Sequence, residues 1–227
     1  MFSEQFKTYI ENIFPVKLAG IKHYKQKREA AQKALAVTMI AFFSGDSSPD
    51  LSHVIKQVFE ILLESEVFDE KELRDWIDKL YEPNLRALAI AEEEKKALSK
   101  TKITVDEYLA HRKISSMHKE ITVFFKLLSK YSHLDDPIWA EITEYLIFVT
   151  DFYSYKKDLQ HGDNYNLLLC SDAPDIQLGI PLVIAKLKNK RKAISKQLVY
   201  CKPHTKKLAE AMIVATENWC KTTPRYN

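Results

Sequence analysis

Glycine, proline and cysteine are all scarce in this sequence, and each scarcity reduces the number of possible folds. The 227 residues include 4 glycines and 8 prolines, while leucine, alanine, lysine and glutamate are abundant. Glycine and proline interrupt helices most strongly, so this composition favours helices over sheets. The three cysteines are odd in number and have no Cys-x-x-Cys spacing: Cys170, Cys201 and Cys220. Such a set indicates neither a disulfide framework nor a zinc site.

A strong charge of either sign is also missing. Lysine and arginine number 34 against 31 aspartates and glutamates, for a formal net charge of +3. This near balance argues against a dedicated nucleic-acid binder, but it is compatible with a locally basic pocket for an anionic substrate. The basic run from Lys186 to Lys192 contains no aromatic residue. It is therefore typical of a solvated helix end rather than of a nucleic-acid surface.

Long apolar runs are missing as well. The longest, near 34–43, is too short to cross a bilayer. The first residues are polar and include Glu4, which is unlike a secretory signal. Cysteines without a disulfide pattern are typical of a reducing compartment. We therefore expect a soluble cytoplasmic protein without a membrane span, present as a monomer or a homodimer.

What the sequence does contain is a repeated helical spacing of apolar residues. With 46% hydrophobic and 11% aromatic residues, the chain can bury one sizeable core. We expect an all-α protein with a single domain over residues 1–227. Helical spacing occurs in 3–13, 24–43, 51–64, a stretch from 69 to 94 with a break expected at Pro83, 107–117, 139–160, 175–196 and 204–219.

Several of these helices begin with a capping signal. Thr104 and Glu107 have the spacing of a capping box. Asp69 and either Ser48 or Asp50 precede their helices as N-caps. The paired acids Asp135 and Asp136 stand before Pro137, and this arrangement indicates a helix start rather than a metal site.

The helix over 139–160 carries the most informative pattern in the chain. Thr150, Ser154 and Asp158 follow one another at four-residue spacing, so they share one face of the helix. Two hydroxyls and a carboxylate are hard oxygen ligands of the kind that Mg²⁺ takes. Lys157 adds a positive charge suited to a phosphate. On spacing alone, a plain solvated face is the alternative interpretation.

The residues around this pattern resemble a known motif. Residues 149–168 read V-T-D-F-Y-S-Y-K-K-D-L-Q-H-G-D-N-Y-N-L-L. This segment resembles the second metal-binding motif of class I terpene synthases, N/D-D-x-x-S-x-x-K-E followed by a Tyr/His-Asn-Leu run. Ser154 and Lys157 match the motif. Thr150 stands in place of asparagine or aspartate, and Asp158 replaces glutamate.

Two further segments resemble the same family. Glu107-Tyr108-Leu109-x-x-Arg112 is similar to the segment whose arginine senses the substrate diphosphate. The ending Trp219, Thr223, Arg225 and Tyr226 is similar to the C-terminal signature, in which an Arg-Tyr pair reaches the diphosphate. The three motifs occur in the family's order and cover about 104–226.

The resemblance implies a fold and an activity. The fold would be a single-domain helical bundle around an apolar cavity, with its N-terminal helices shortened. The enzyme would be a carbon–oxygen lyase of isoprenoid biosynthesis that uses Mg²⁺ to ionise a prenyl diphosphate, farnesyl diphosphate foremost, and forms a terpene hydrocarbon or alcohol. The implied diphosphate-binding residues are Arg112, Lys157, Arg225 and Tyr226. The implied metal ligands are Thr150, Ser154 and Asp158.

The family also has an aspartate-rich motif at the end of an earlier helix, and no regular copy of it is found in this sequence. Asp46 and Asp50 follow the apolar run 34–43 and are the candidates for this role. A capped turn is the alternative interpretation of this pair.

Other functions remain open from the sequence. A non-catalytic or truncated terpene synthase homologue would bind a prenyl diphosphate weakly or not at all. A chain-elongating prenyltransferase would need two aspartate-rich motifs, and both are absent. A helical interaction protein unrelated to isoprenoids would show no Mg²⁺-dependent ligand binding.

Overall fold

The structure is a computed structural model, and it describes residues 4–43, 49–129, 137–170 and 176–223. Every regular element in these ranges is helical, which confirms the expected all-α class. The helices are α1 Glu4–Ile13, α2 Tyr24–Phe43, α3 Leu51–Glu64, α4 Glu70–Trp76, α5 Glu82–Leu98, α6 Val105–Ser115, α7 His118–Ser129, α8 Ile138–Gln160, α9 Ile176–Leu198 and α10 Pro203–Thr222. A 3₁₀ turn, Leu167–Leu169, follows α8.

The expected break at Pro83 is wrong, because the chain stays helical through this residue. A π-helical turn, Ile77–Tyr81, joins α4 to α5, and the Glu82 N–H donates to the Ile77 carbonyl. Proline has no N–H, and its ring clashes with the carbonyl four residues earlier. The wider π turn accommodates both effects. The Asn84 side chain donates to the Leu80 carbonyl at 2.5 Å and satisfies an acceptor that the distortion exposes.

The predicted capping signals are confirmed where the structure describes them. Thr104 Oγ1 accepts from the Glu107 N–H at 3.3 Å, and the Glu107 carboxylate accepts from the Thr104 N–H at 2.8 Å. Asp50 and Asp69 act as N-caps of α3 and α4, since their side chains accept from the His53 N–H and the Glu72 N–H. Ser48, Asp135 and Asp136 lie outside the described residues, and α8 begins directly after Pro137.

The predicted helix 107–117 ends earlier than the spacing suggests. Helix α6 stops at Ser115, the Ser116 backbone is extended, and α7 starts at His118. Ser115 and Ser116 are both buried at this junction. The change of direction matters for function because it brings the end of α6 against the loop that follows α8.

Helix α8 lies at the centre of the molecule. It packs against α6, α7, α9, α10 and the 3₁₀ turn. Leu146 and Ile147 in its middle are fully buried. The main core extends from α1 to α10, and a smaller core around Tyr108, Ile147 and Tyr165 joins α6 to α8. Any polar side chain in the middle of α8 must therefore find its partners inside the protein.

The basic run on α9 is less solvated than its sequence indicates. The Lys190 side chain is 16% exposed and forms ion pairs with Glu141 and Glu144 of α8. Arg191 pairs with Glu217 of α10 at 3.3 Å. The prediction of a solvated helix end is wrong for these two residues, because α9 uses them to pack against its neighbours. In the described ranges, no helix combines the length and the apolarity that a bilayer crossing requires.

Candidate functional site

The oxygen row on α8 is buried rather than solvated. Thr150, Ser154 and Asp158 are each 8% exposed. Ser154 Oγ donates to Asp158 Oδ2 at 2.6 Å, so these two side chains are in direct contact. Thr150 Oγ1 donates to the Ile147 carbonyl of its own helix at 2.9 Å. The row therefore consists of a bonded Ser–Asp pair and a hydroxyl tied to the backbone.

Asn166 closes this row from the loop after α8. Its Nδ2 lies 3.0 Å from Ser154 Oγ and 2.8 Å from Asp158 Oδ2. It also donates to the Asp151 carbonyl at 3.0 Å. Its Oδ1 accepts from the Leu168 N–H at 2.9 Å, which caps the 3₁₀ turn. One fully buried amide thus joins the oxygen row to the following segment. Sequence reasoning gave Asn166 no role, although its place beside the row in the quoted motif was a usable signal.

Asp151, the neighbour of the row, carries the most highly connected carboxylate of the site. It is 3% exposed. Tyr108 Oη donates to its Oδ2, and the Leu167 N–H donates to the same oxygen at 3.2 Å. Arg112 Nε lies 3.9 Å from Oδ1. Sequence reasoning overlooked this residue. The signal was a single carboxylate in an apolar stretch, because a buried charge requires partners.

Arg112 is held by several groups on one side. Its Nη1 donates to the Ser115 carbonyl at 3.4 Å, and its Cζ lies 6.0 Å from the centre of the Tyr165 ring. Its Nε is buried and makes no hydrogen bond within the described ranges. The predicted diphosphate sensor is therefore oriented by Asp151 and retains an unused donor.

Burial and neighbouring charges shift the pKa values of Asp151, Tyr108 and Arg112. Burial raises the pKa of Asp151, and Arg112 and Tyr108 partly offset the rise. Burial also raises the pKa of Tyr108 well above its usual value, and the Asp151 charge adds to this effect. Burial acts to lower the pKa of Arg112, but Tyr108 and Asp151 outweigh it and raise the pKa. Tyr108 therefore stays a donor and Arg112 stays a cation at neutral pH.

A second set of hydrogen bonds supports Tyr165. Its hydroxyl lies 2.8 Å from Ser115 Oγ and also contacts His111 Nδ1. His111 Nε2 lies 3.4 Å from a Glu94 carboxylate oxygen. Burial lowers the pKa of His111, and Glu94 opposes this effect. These contacts fix the ring against which Arg112 packs.

The remaining predicted residues differ in how far the structure places them. Lys157 Nζ lies 4.0 Å from Asp158 Oδ1, beside the oxygen row. Asp50 accepts from the His53 N–H at 3.2 Å as an N-cap, the arrangement that the alternative interpretation of this pair expected. Asp46, Arg225 and Tyr226 lie outside the described residues.

The two other members of the C-terminal signature have structural partners. The Trp219 ring lies 5.3 Å from the Tyr9 ring, so it joins α10 to α1. The Thr223 N–H donates to the Trp219 carbonyl at 2.9 Å and ends α10.

The donor set can be tested against the chemistry of Mg²⁺. All three side chains of the row offer oxygen, which suits this ion. Asp158 Oδ2 is already bonded to Ser154 and Asn166, while Oδ1 lies on the side of Lys157. In the part of the chain that the structure describes, no cluster of three or more His, Cys, Asp or Glu side chains could hold a metal. The row is chemically compatible with Mg²⁺ but contributes one carboxylate.

Comparison of the sequence with protein-family models gave no match, and comparison with curated proteins gave none either.

Proposed function

We propose that this protein binds a prenyl diphosphate together with Mg²⁺ and ionises it, releasing diphosphate and forming a terpene hydrocarbon or alcohol. Farnesyl diphosphate is the substrate that we expect. The observation that supports the proposal is the pairing of Arg112 with Asp151 across α6 and α8. Asp151 is the residue after Thr150, the first member of the oxygen row. Residues from two of the three resembling motifs therefore lie together.

The proposal gives each residue of the row a role. Thr150, Ser154 and Asp158 would hold Mg²⁺, which, when bound, supplies Lewis-acid stabilisation of the leaving diphosphate. Lys157 stands next to Asp158 and would neutralise a phosphate oxygen. By resemblance, Arg225 and Tyr226 would bind the same group.

Arg112 would act through orientation as well as charge. Asp151 and the Tyr165 ring hold the guanidinium, so little reorganisation is needed when a diphosphate binds. Its Nη1 donates a long bond to the Ser115 carbonyl, at 3.4 Å, so the terminal nitrogens retain N–H donors that an anion can accept from. A donor that is already aligned stabilises negative charge more effectively than a mobile one.

A second candidate function is a homologue that binds a prenyl diphosphate weakly or not at all, without turnover. The observation that favours it is the closed hydrogen bonding of Ser154, Asp158 and Asn166. These side chains use one another as hydrogen-bond partners, and the oxygen row has a single carboxylate. Metal binding would have to compete with those bonds.

An activity assay tests the proposal. The purified protein is incubated with geranyl, farnesyl or geranylgeranyl diphosphate, with Mg²⁺ or EDTA, and the extract is analysed by gas chromatography with mass spectrometry. We expect an Mg²⁺-dependent product from one substrate. Asp158→Asn and Arg112→Gln should each lower its rate of formation at least tenfold, whereas Asp75→Asn, a surface change on α4, should not.

A binding assay separates the two candidates if no product forms. Mg²⁺-dependent binding of a prenyl thiodiphosphate that is weakened by Arg112→Gln would support the non-catalytic homologue. Neither product nor binding, with the protein shown to be folded by circular dichroism, would overturn the proposed activity and leave a homologue that binds nothing or a helical interaction protein.

A further inference from the structure

A groove between α8, α9 and α10 has no role in the proposed function. Its volume is about 450 Å³. The floor is apolar and aromatic, with Val149 and Phe152 from α8 and Ile184 and Leu187 from α9. This volume lies in the range of roughly 300–1,000 Å³ that is typical of small-ligand pockets.

The groove is separate from the oxygen row. Val149, Phe152 and Tyr153 line the groove, while Thr150, Ser154 and Asp158 form the row. At about 100° per residue, the centres of these two sets lie roughly 150° apart around α8. A ligand on Val149 and Phe152 therefore would not contact Ser154 or Asp158.

The rim of the groove carries positive charge. Lys188 and Lys192 of α9 and Lys221 of α10 line it, and all three are exposed. In the described ranges, none of them forms an ion pair. Their neighbour Arg191 differs, because it pairs with Glu217.

The sequence of α9 adds to the positive charge beside the groove. The segment Ile176–Leu198 contains lysines and an arginine but no acidic residue. Glu217, the acid that lines the groove, is engaged by Arg191 at 3.3 Å and by the Tyr145 hydroxyl at 2.6 Å. The rim therefore has an uncompensated positive potential next to an apolar floor.

We propose that this groove binds an amphipathic anion with one apolar chain and a phosphate head, such as an alkyl monophosphate. The chain would lie on Phe152 and Leu187, and the phosphate would sit among Lys188, Lys192 and Lys221. Lysine is a suitable point charge for a phosphate dianion. The concave shape favours a single molecule over a flat membrane surface. The inference is independent of the proposed function.

Calorimetry with dodecyl phosphate below its critical micelle concentration tests the groove. EDTA is present throughout, so that no metal-dependent site contributes. We expect saturable binding of one molecule per chain, weakened at least tenfold in Lys188→Gln/Lys192→Gln. Lys196→Gln is the matched control, since this lysine is on α9 but does not line the groove. It should change the dissociation constant by less than twofold.

Chain and head are tested separately. Inorganic phosphate and a neutral dodecyl detergent should each bind at least tenfold more weakly than dodecyl phosphate. Equal binding of either one would overturn the amphipathic ligand. Circular dichroism spectra that superimpose for all variants would show that the lysine changes leave the fold intact.

Three outcomes would overturn the site itself. One is an absence of saturable binding. Another is weakening by Arg112→Gln but not by the double lysine change, which would place the probe at the α6–α8 site. A third is sedimentation with phosphatidylglycerol vesicles without binding of the monomeric probe, which would indicate a membrane surface. Loss of terpene formation with retained probe binding would leave this inference standing.

Discussion

At the scale of single residues, the molecule buries several polar side chains among the apolar ones of its core. Asp151, Arg112 and Tyr108 form one connected set. Glu120 and His118 at the start of α7 form no comparable set, although they are 1% and 6% exposed. Both Glu120 oxygens lack a hydrogen-bond donor within the described ranges. Burial without partners disfavours the charged form of a group, so it raises the pKa of a carboxyl and lowers the pKa of a histidine.

Replacing Asp151 with asparagine should destabilise the protein. The change keeps the shape but removes the charge that accompanies Arg112 and an acceptor of the Tyr108 and Leu167 donors. We expect a loss of about 2 kcal/mol in the free energy of unfolding, typical of hydrogen bonds to a charged group. Urea unfolding measures it. Asp75→Asn, at an exposed pair, should lie within about 0.5 kcal/mol of the parent. Equal effects of the two changes would contradict the buried role.

Glu120 should make stability fall as the pH rises. Burial raises its pKa to about 8 from an ordinary value of 4.5. Between these two values the folded state holds a proton that the unfolded state has released, so the free energy of unfolding decreases with pH. Above pH 8 this loss is complete. Glu120→Gln should therefore be more stable than the parent at pH 9 and close to it at pH 4.

Urea unfolding of both proteins from pH 4 to 9 gives the measurement for Glu120. The difference between them isolates this residue from His118, whose pKa burial lowers to about 3, with Arg112 adding to the effect. The contribution of His118 has the opposite sign: it lowers the free energy of unfolding as the pH falls from 6.5 toward 3. Parallel curves for the parent and Glu120→Gln would contradict the buried, protonated carboxyl.

At the scale of elements, short local signals position the residues of the site. The capping box fixes where α6 begins, and the turn at Ser116 fixes where it ends. Tyr108 and Arg112 lie one helical turn apart between these limits. Both therefore face α8. A shift in the start of α6 would disturb both contacts to Asp151.

Replacing Thr104 with alanine tests this positioning. Loss of the side-chain acceptor should lower the free energy of unfolding by about 1 kcal/mol. Thr104→Ser keeps the hydroxyl and should restore most of the stability. Thermal unfolding followed by circular dichroism provides the comparison. If the serine variant is as unstable as the alanine variant, the hydroxyl is not the cause.

At the scale of the whole molecule, α8 is the element on which the others are assembled. Four helices pack on it, and residues in its middle are fully buried. Two of its faces have different surroundings: the polar face with the oxygen row meets the loop with Asn166, and an apolar face forms the floor of the groove. The helix thus separates the proposed diphosphate site from the proposed amphiphile site.

Amide hydrogen exchange should identify α8 as the most stable element. Peptides covering 142–151 should exchange only through global unfolding, since local opening would expose a buried segment on every side. Peptides covering 185–192 of α9, which is half exposed, should exchange at least a hundredfold faster. Mass spectrometry over a time course measures both. Similar rates would contradict the central place of α8.

Much of the fold was predictable because its signals are local. Helical spacing, the capping box and the shared face of Thr150, Ser154 and Asp158 depend on residues a few positions apart. The wrong predictions have other origins. The engaged Lys190 depends on Glu141 and Glu144, which become its neighbours only after packing. The π turn at Pro83 is local, but it departs from the α-helical period on which the prediction relied.

The sequence by itself determined that the chain is helical, where most helices begin, and which oxygens share a face of α8. These properties follow from the period of the helix and from hydrogen bonds within one or two turns. Only the tertiary structure decided that Arg112 pairs with Asp151, that Asn166 closes the oxygen row and that Lys188 and Lys221 border one groove. These pairs lie 8 to 39 residues apart in the chain, and helical periodicity carries no information about such pairs.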